Sequence, residues 1–351
     1  MKILVITQAL DTEDSVLSAY HRLVSEIARN FDFVTAICLK KGQNSLPANT
    51  KILSLGKEKG GGWMVAHVRY LWRFYKYIFS AEYDVVFVHM NQEYILLGGL
   101  LWKMMGKRVY MWRNHHAGSF LTDVAAAFCT KVFCTSKFSY TAKYKKTVLM
   151  PVGIETDMFK RNDLSRTAKK PHSILFLARI APVKKPHLLL EALGLLAQKG
   201  LSFTASFYGD ALPKDIDYLK GLKEKAKALN LDKQVTFCGG VPNDQTPDVY
   251  SAHEVFVNLS SSGMYDKTIF EAMACETLSL ASNKNLHGLV PEMFIFEEGN
   301  AVDLSQKLEK LLALSSEEKE SYGRQLRQIV IDKHSLRGLG LKLAEELCQV
   351  K

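Results

Sequence analysis

The sequence predicts an α/β protein built from two doubly wound domains, and three observations carry that expectation. The chain has 351 residues, beyond the size at which one hydrophobic core usually keeps growing. Short β-branched runs alternate with longer helical patterns in both halves, as parallel sheets covered by helices require. Between the halves lies a stretch without apolar periodicity, VGIETDMFKRNDLSRTAKKP (152–171), rich in turn formers and charge, which is the expected linker.

In the first half the expected strands are KILVIT (2–7), FVTAICL (33–39), DVVFVHM (84–90), RVYMW (108–112), KVFCTS (131–136) and TVLMP (147–151). In the second half they are SILFLAR (173–179), FTASFYG (203–209), QVTFCG (234–239), EVFVNLS (254–260) and TLSLAS (277–282). Helical patterns lie between most of them. The expected domains are residues 1–160 and 161–335, with the last helical pattern, LRGLGLKLAEELCQ (336–349), crossing back onto the first domain. In open sheets of this kind ligands collect beyond the C-terminal strand ends.

Composition narrows the class. With 47% hydrophobic and 23% charged residues the chain reads as an ordinary globular protein. Its longest apolar run, YILLGGLLW (94–102), falls short of the ~20 residues that span a bilayer. The N-terminus, MKILVITQ, reads as a buried strand rather than a signal peptide, so a cytoplasmic location is expected. The six cysteines, at 38, 129, 134, 238, 275 and 348, have no close pair and no zinc spacing, and read as small buried hydrophobes in a reducing compartment. Lys and Arg number 46 against 36 Asp and Glu, a net charge of +10. Residues 1–160 hold 21 of those cations and 12 of the acids, so the excess belongs almost entirely to the first half and points to an anionic partner there.

Arg179 and Lys184 flank the loop after the strand ILFLAR, with four residues between them. Two readings stand: paired cations gripping one dianionic group, as suits a diphosphate whose charge grows as it leaves, or a solvated basic turn. The stretch SSSGMYDKTIFEAMACE (260–276) follows the strand EVFVNLS and leads into a helix. Ser260, Ser261, Ser262 and Gly263 are small enough for a ligand to approach the backbone, and the helix directs free N–H groups and its positive dipole end there. Asp266 doubles as a helix cap. Lys267 and Glu271, one turn apart, also suit a plain surface ion pair. Asp215 and Asp217 have the Asp-x-Asp spacing but precede a helical run and read as first-turn acids, so no metal is expected.

Taken together, ARIAPVKKPHLLLEAL (178–193), FYGDAL (207–212), VTFCGGVP (235–242), TIFEAMACE (268–276) and PVGIETDMF (151–159) resemble, in order and at compatible spacing, the landmarks of retaining GT-B glycosyltransferases of the glycosyltransferase family 4 type. The resemblance implies two Rossmann-like domains facing each other across a cleft. It implies transfer of a sugar from a nucleotide-sugar, a UDP- or GDP-sugar, with anomeric configuration retained and no other cofactor. Arg179 and Lys184 would hold the donor diphosphate, Glu271 the ribose hydroxyls and the backbone near Phe237 the base. The turn that includes Ser262, Gly263, Asp266 and Lys267 would lie against donor sugar and phosphates, with Gly209 at the neighbouring strand end. One departure stands out: Gly263 occupies the place of the family's usual first glutamate, so sugar recognition must differ, with Asp266 or Lys267 as the substitutes.

In the first domain, MWRNHHAGSF (111–120) leaves a strand where related enzymes place a histidine facing the sugar. His115 is the expected residue and His116 the second choice. With Arg179 and Lys184, His115 makes up the expected catalytic set, in which the leaving phosphate accepts the acceptor proton. After the first strand, Asp11 is either an acceptor contact or a capping residue, and capping is the reading for Asp14 and Ser15. GKEKGGGWMVAHVRYLWRFYKYIFS (56–80) mixes cations with Trp and Tyr. It suits either a helix resting on an anionic membrane or a sheet-covering helix with snorkelling cations. The charge asymmetry favours membrane proximity, in line with a saccharide or lipid-linked acceptor in cell-surface polysaccharide or glycoconjugate synthesis. No recognised nucleic-acid module occurs. The competing classes are a noncatalytic scaffold binding nucleotide-sugar or anionic lipid, which Gly263 favours, and a sugar-nucleotide epimerase, which would need acid/base carboxylates that the sequence does not offer.

Overall fold

A computed structural model describes residues 1–14, 17–161 and 169–349. The chain divides into two compact units, Met1–Gly153 with Leu336–Lys351, and Ile154–Ser335. The division falls at 153/154 rather than at the expected 160. The reason is local: Ile154 bridges to Ser335 and its N–H donates to the His334 carbonyl at 2.8 Å, which ties this stretch to the second unit. Residues 162–168 of the expected linker, and Ser15, lie outside the described residues.

The first unit runs β1 (Lys2–Leu10), α1 (Ser18–Ala28), β2 (Phe33–Lys41), β3 (Thr50–Ser54), α2 (Trp63–Ser80), β4 (Val85–His89), α3 (Glu93–Met104), β5 (Arg108–Trp112), α4 (Phe120–Phe128), β6 (Lys131–Cys134) and β7 (Thr147–Leu149). The second runs β8 (Lys170–Leu177), α5 (Pro186–Gln198), β9 (Thr204–Tyr208), α6 (Ile216–Ala228), β10 (Val235–Gly239), α7 (Thr246–Ser251), β11 (His253–Asn258), α8 (Lys267–Ala274), β12 (Leu278–Ala281), α9 (Ala301–Leu312) and α10 (Ser316–His334), after which α11 (Leu336–Cys348) joins the first unit. Among the described residues the strands form a seven-stranded sheet, β3-β2-β1-β4-β5-β6-β7, and a five-stranded sheet, β10-β9-β8-β11-β12, all paired in parallel. Both are therefore Rossmann-like α/β sheets.

Parallel strands covered on both faces read as continuous apolar runs, and β1 shows why. Ile3 and Val5 enter one core with Val24 and Ile27 of α1 and Leu339, Leu343 and Leu347 of α11. Leu4 and Ile6 enter the opposite core with Phe74 and Ile78 of α2, and with Ile95 and Trp102 of α3. All the strands expected from sequence are present. β3 was not expected: it is a short edge strand, TKILS, half-buried except at the exposed Lys51 and without the β-branched run that marks the others.

Both sheets reverse strand order beside their first strand, between β1 and β4 in one and between β8 and β11 in the other. Those switch points are where loops diverge and leave a crevice. In the second unit the loops at this position are 178–185 and 259–266, the two stretches singled out from sequence.

Candidate functional site

The loop after β8 is set by close packing. The Ala178 N–H donates to the Tyr208 carbonyl at 3.1 Å and the Ile180 N–H to the Asp210 carbonyl at 3.0 Å, so the segment lies flush against the end of β9. Gly209 sits beneath it with φ +139, and a Cβ there would run into the Ala178 carbonyl oxygen. Only glycine meets both demands. Arg179 is left exposed at the sheet edge. A 3-10 turn at Pro182–Lys184 and a left-handed Lys185, φ 52, then start α5 at Pro186.

That path returns Lys184 toward the loop after β11. Its Nζ donates to Asp266 Oδ2 at 2.6 Å and to Ser260 Oγ at 3.2 Å, while Ser260 Oγ donates to Asp266 Oδ2 at 2.8 Å. Asp266 Oδ1 accepts from the Thr268 hydroxyl at 2.9 Å and caps α8 through the Thr268 N–H at 3.3 Å. Asn258 completes the network, donating to Thr268 Oγ1 at 3.0 Å and accepting from the Ser260 N–H at 3.0 Å. The Lys184 and Asp266 side chains keep 29% and 14% of their exposure. Burial alone would raise the Asp266 carboxyl, but the Lys184 charge and the hydrogen bonds from Lys184, Ser260 and Thr268 outweigh it and hold the group at about 2.

The turn 260–266 is pinned from its other side. Ser262 is buried; its Oγ accepts from the Lys284 N–H at 2.9 Å and its carbonyl from Asn285 Nδ2 at 2.8 Å. Asn283 Nδ2 donates to the Met264 carbonyl at 2.8 Å, and Tyr265 donates to the Asn285 carbonyl at 2.8 Å. Gly263 lies in the middle of this braced turn and Lys267, exposed, begins α8. One turn on, Glu271 Oε2 accepts from the buried Tyr250 hydroxyl at 3.3 Å. Phe237 packs its ring on Phe207 at 5.2 Å in the edge strand β10, whose register to β9 slips between Phe237 and Gly239. A slipped edge strand exposes backbone groups to a ligand.

The structure thus joins Lys184, Ser260 and Asp266 directly and sets Ser262 and Glu271 in the adjoining turn and helix. Sequence reasoning missed Asn258, Thr268, Tyr250, Asn283 and Asn285. The available signal was SNKN (282–285), polar residues immediately past a buried strand at the ligand end of the sheet.

In the first unit His115 and His116 are exposed on the loop after β5, with ring centroids 4.5 Å apart. His115 Nδ1 lies 3.0 Å from both the nitrogen and the carbonyl oxygen of Ala117. Asp11 is buried, 3.4 Å from Lys40 Nζ, and accepts from the Glu13 N–H at 3.1 Å. Asp14 accepts from the N–H of Leu17 at 2.9 Å; Leu17 is itself the N-cap position of α1, which has no side-chain cap bond, so Asp14 braces the turn ahead of the helix rather than capping it. Sequence reasoning also passed over His89, which ends β4 at this unit's switch point, buried against Tyr20 at 4.7 Å between ring centroids.

Two cysteines correct the sequence expectation: Cys38, Cys129, Cys134 and Cys275 are buried, but Cys238 and Cys348 are exposed. Among the described residues no group of three or more His, Cys, Asp or Glu side chains is placed to hold a metal ion. Asp217 lies in the first turn of α6, 3.4 Å from Lys220. No described helix is long and apolar enough to cross a membrane.

Residues 159–328 match the protein family described as Glycosyl transferases group 1. Mannosylfructose-phosphate synthase of Agrobacterium fabrum is 28% identical over 159 residues, 42% of this chain and 34% of that protein. Alpha-monoglucosyldiacylglycerol synthase of Streptococcus pneumoniae is 27% identical over 186 residues, 49% of this chain and 41% of that protein. The matched stretches thus span between a third and a half of these relatives. Among solved structures, Anabaena Alr3699/HepE in complex with UDP and glucose superposes with a TM-score of 0.76 at 18% identity, covering 100% of both chains. The fold is that of GT-B glycosyltransferases.

Proposed function

We propose that the chain is a glycosyltransferase that takes the sugar of a UDP- or GDP-sugar, with retention of anomeric configuration, and passes it to a saccharide or lipid-linked acceptor in cell-surface polysaccharide or glycoconjugate synthesis. One observation carries the reading: at the switch point of the sheet in the family-matched unit, a lysine ammonium is fixed beside the N-terminus of α8, next to a turn of small residues. A cation, a helix N-terminus and an approachable backbone are the parts that bind and stabilise a departing diphosphate.

In this reading Lys184 and Arg179 hold the diphosphate, Glu271 the ribose, the edge of β10 near Phe237 the base, and Ser262, Gly263 and Lys267 the donor sugar and phosphates. Gly209 shapes the floor. The family resemblance assigns a histidine after β5 to the sugar step, His115 first and His116 second; His116 and Asp11, the latter read from its place after the first strand, are the acceptor-side candidates. No metal takes part. The complex of a structural neighbour with UDP and glucose supports the choice of a nucleotide-linked donor.

The acceptor side of the reading places the protein on the cytoplasmic face of an anionic membrane. Supporting it, α2 buries Ala66, Phe74 and Ile78 but turns Trp63, Met64, Val65, Val68 and Trp72 outward, the two tryptophans 75% and 61% exposed. Lys76 Nζ lies 5.0 Å from the Trp72 ring centroid. Apolar and aromatic side chains flanked by cations suit the headgroup boundary of an anionic bilayer. Flotation with anionic vesicles should recover the native chain and lose the Trp63→Ser/Trp72→Ser variant, with zwitterionic vesicles recovering neither. Binding to both vesicle types alike would remove the electrostatic part of the reading.

The central test is a melting-temperature screen against UDP and GDP sugars, since a ligand that binds only the native state raises its midpoint. Arg179→Ala and Lys184→Ala should each abolish transfer without unfolding the chain, and native turnover in either would refute the assigned roles. Release of nucleoside diphosphate only when acceptor is present separates transfer from noncatalytic binding.

A further inference from the structure

The expected role of Asp266 was contact with the donor sugar. The geometry points elsewhere, and we propose that Asp266 is a positioning residue, its carboxylate and the Ser260 hydroxyl together aiming the Lys184 ammonium at the donor diphosphate. This inference rests on the reading above, in which Lys184 is the diphosphate cation.

Both carboxylate oxygens of Asp266 are engaged within the second unit: Oδ2 with Lys184 and Ser260, Oδ1 with the side chain and backbone of Thr268. An ammonium has three N–H donors. Asp266 and Ser260 take two of them, at 2.6 and 3.2 Å, which fixes the direction of the third. A lysine stem is otherwise free to rotate, and holding it in advance removes part of the ordering cost of binding. The arrangement depends on the fold. Lys184 follows β8 and Asp266 follows β11, so the pair meets because those strands are neighbours. It is also costly to undo in part, because a carboxylate stripped of its cation in a half-buried site repels an incoming anion.

The test is a double-mutant cycle on the binding of UDP and of GDP, read by titration calorimetry, with Asp266→Asn and Lys184→Gln. Asparagine keeps a good helix cap, so the fold is retained. Asp266→Asn in the native background should weaken binding about three- to tenfold, because Lys184 loses its aim. In the Lys184→Gln background the same change should strengthen binding, because it removes an unpaired carboxylate beside the diphosphate. A residue that only caps α8 would act alike in both backgrounds, so an Asp266→Asn effect of the same sign in both, or none, overturns the proposal. Ser260→Ala breaks the clamp without touching the cap. It should weaken binding only where Lys184 is present, and an equal effect in both backgrounds counts against the clamp. The underlying reading fails separately, through a native chain that binds neither nucleotide or a Lys184→Gln variant that binds as the native chain does.

Discussion

The hydroxyl of Tyr250, on a wholly buried ring, donates to Glu271 Oε2 at 3.3 Å and so ties α7 to the side of α8 that carries the proposed ribose contact. Tyr250→Phe removes that donor while keeping the ring. Stability should fall by about 1 kcal/mol, the usual net worth of a buried hydrogen bond. If Glu271 holds the ribose, UDP affinity should drop several-fold as the carboxylate loses this hydrogen bond. Calorimetry showing unchanged affinity would detach the Tyr250 bond from donor binding.

Gly209 permits β9 to pass under the Ala178 carbonyl with φ +139. Gly209→Ala forces both a strained backbone and a clash with main-chain atoms, which cannot move aside as a side-chain tip would. The expected loss is about 3 kcal/mol or more, measured as a lower urea midpoint, accompanied by loss of nucleotide binding. A variant of native stability would show that the loop at 178–180 is looser than described.

His334 ends α10 and packs its ring on Phe270, at 4.3 Å, and Tyr265, at 5.6 Å. Burial, aided by Lys333, holds its imidazole down to about 4 from 6.5, so the folded state favours the neutral ring. A depressed folded value gives stability that is complete above pH 6.5 and is lost as the pH falls towards 4. The amount at stake is about 3 kcal/mol. Thermal midpoints should therefore decline between those pH values in the native chain and decline less in His334→Phe. Asp266, held at about 2 against an ordinary 3.8, adds a separate loss only below about pH 4.

Leu343 of α11 is fully buried in the core that also holds Val24 and Ile27 of α1 and Phe133 of β6. Leu343→Ala should cost about 2–5 kcal/mol, as large-to-small changes in packed cores do. Hydrogen exchange would locate the loss in β1, β5 and β6 rather than in β8 or β11. Equal loosening of both sheets would contradict the assignment of α11 to the first unit.

Much of the fold was legible because strands buried on both faces leave long apolar runs with an obvious beginning and end. β3 was not, since an edge strand with one side open to water needs no such run. The cation at 184 and the turn at 260–266 were visible as residue types at strand ends. Their partnership was not, because Lys184 and Asp266 meet through strand order, which local patterns do not encode. Asn283 and Asn285 escaped notice for a related reason: an amide that braces another loop looks like any polar loop residue. The outward tryptophans of α2 show the converse limit, since mixed cations and aromatics between 56 and 80 fitted a covering helix and a surface helix equally well.

The placement of α11 has a consequence for biosynthesis. Synthesis from the amino end usually lets the leading domain fold first, but here the leading sheet lacks one wall of its core until Leu339, Leu343 and Leu347 emerge from the ribosome. The trailing domain is translated completely before that wall exists. Released chains truncated before residue 336 should therefore resist protease in the later sheet while the earlier one remains open to cleavage.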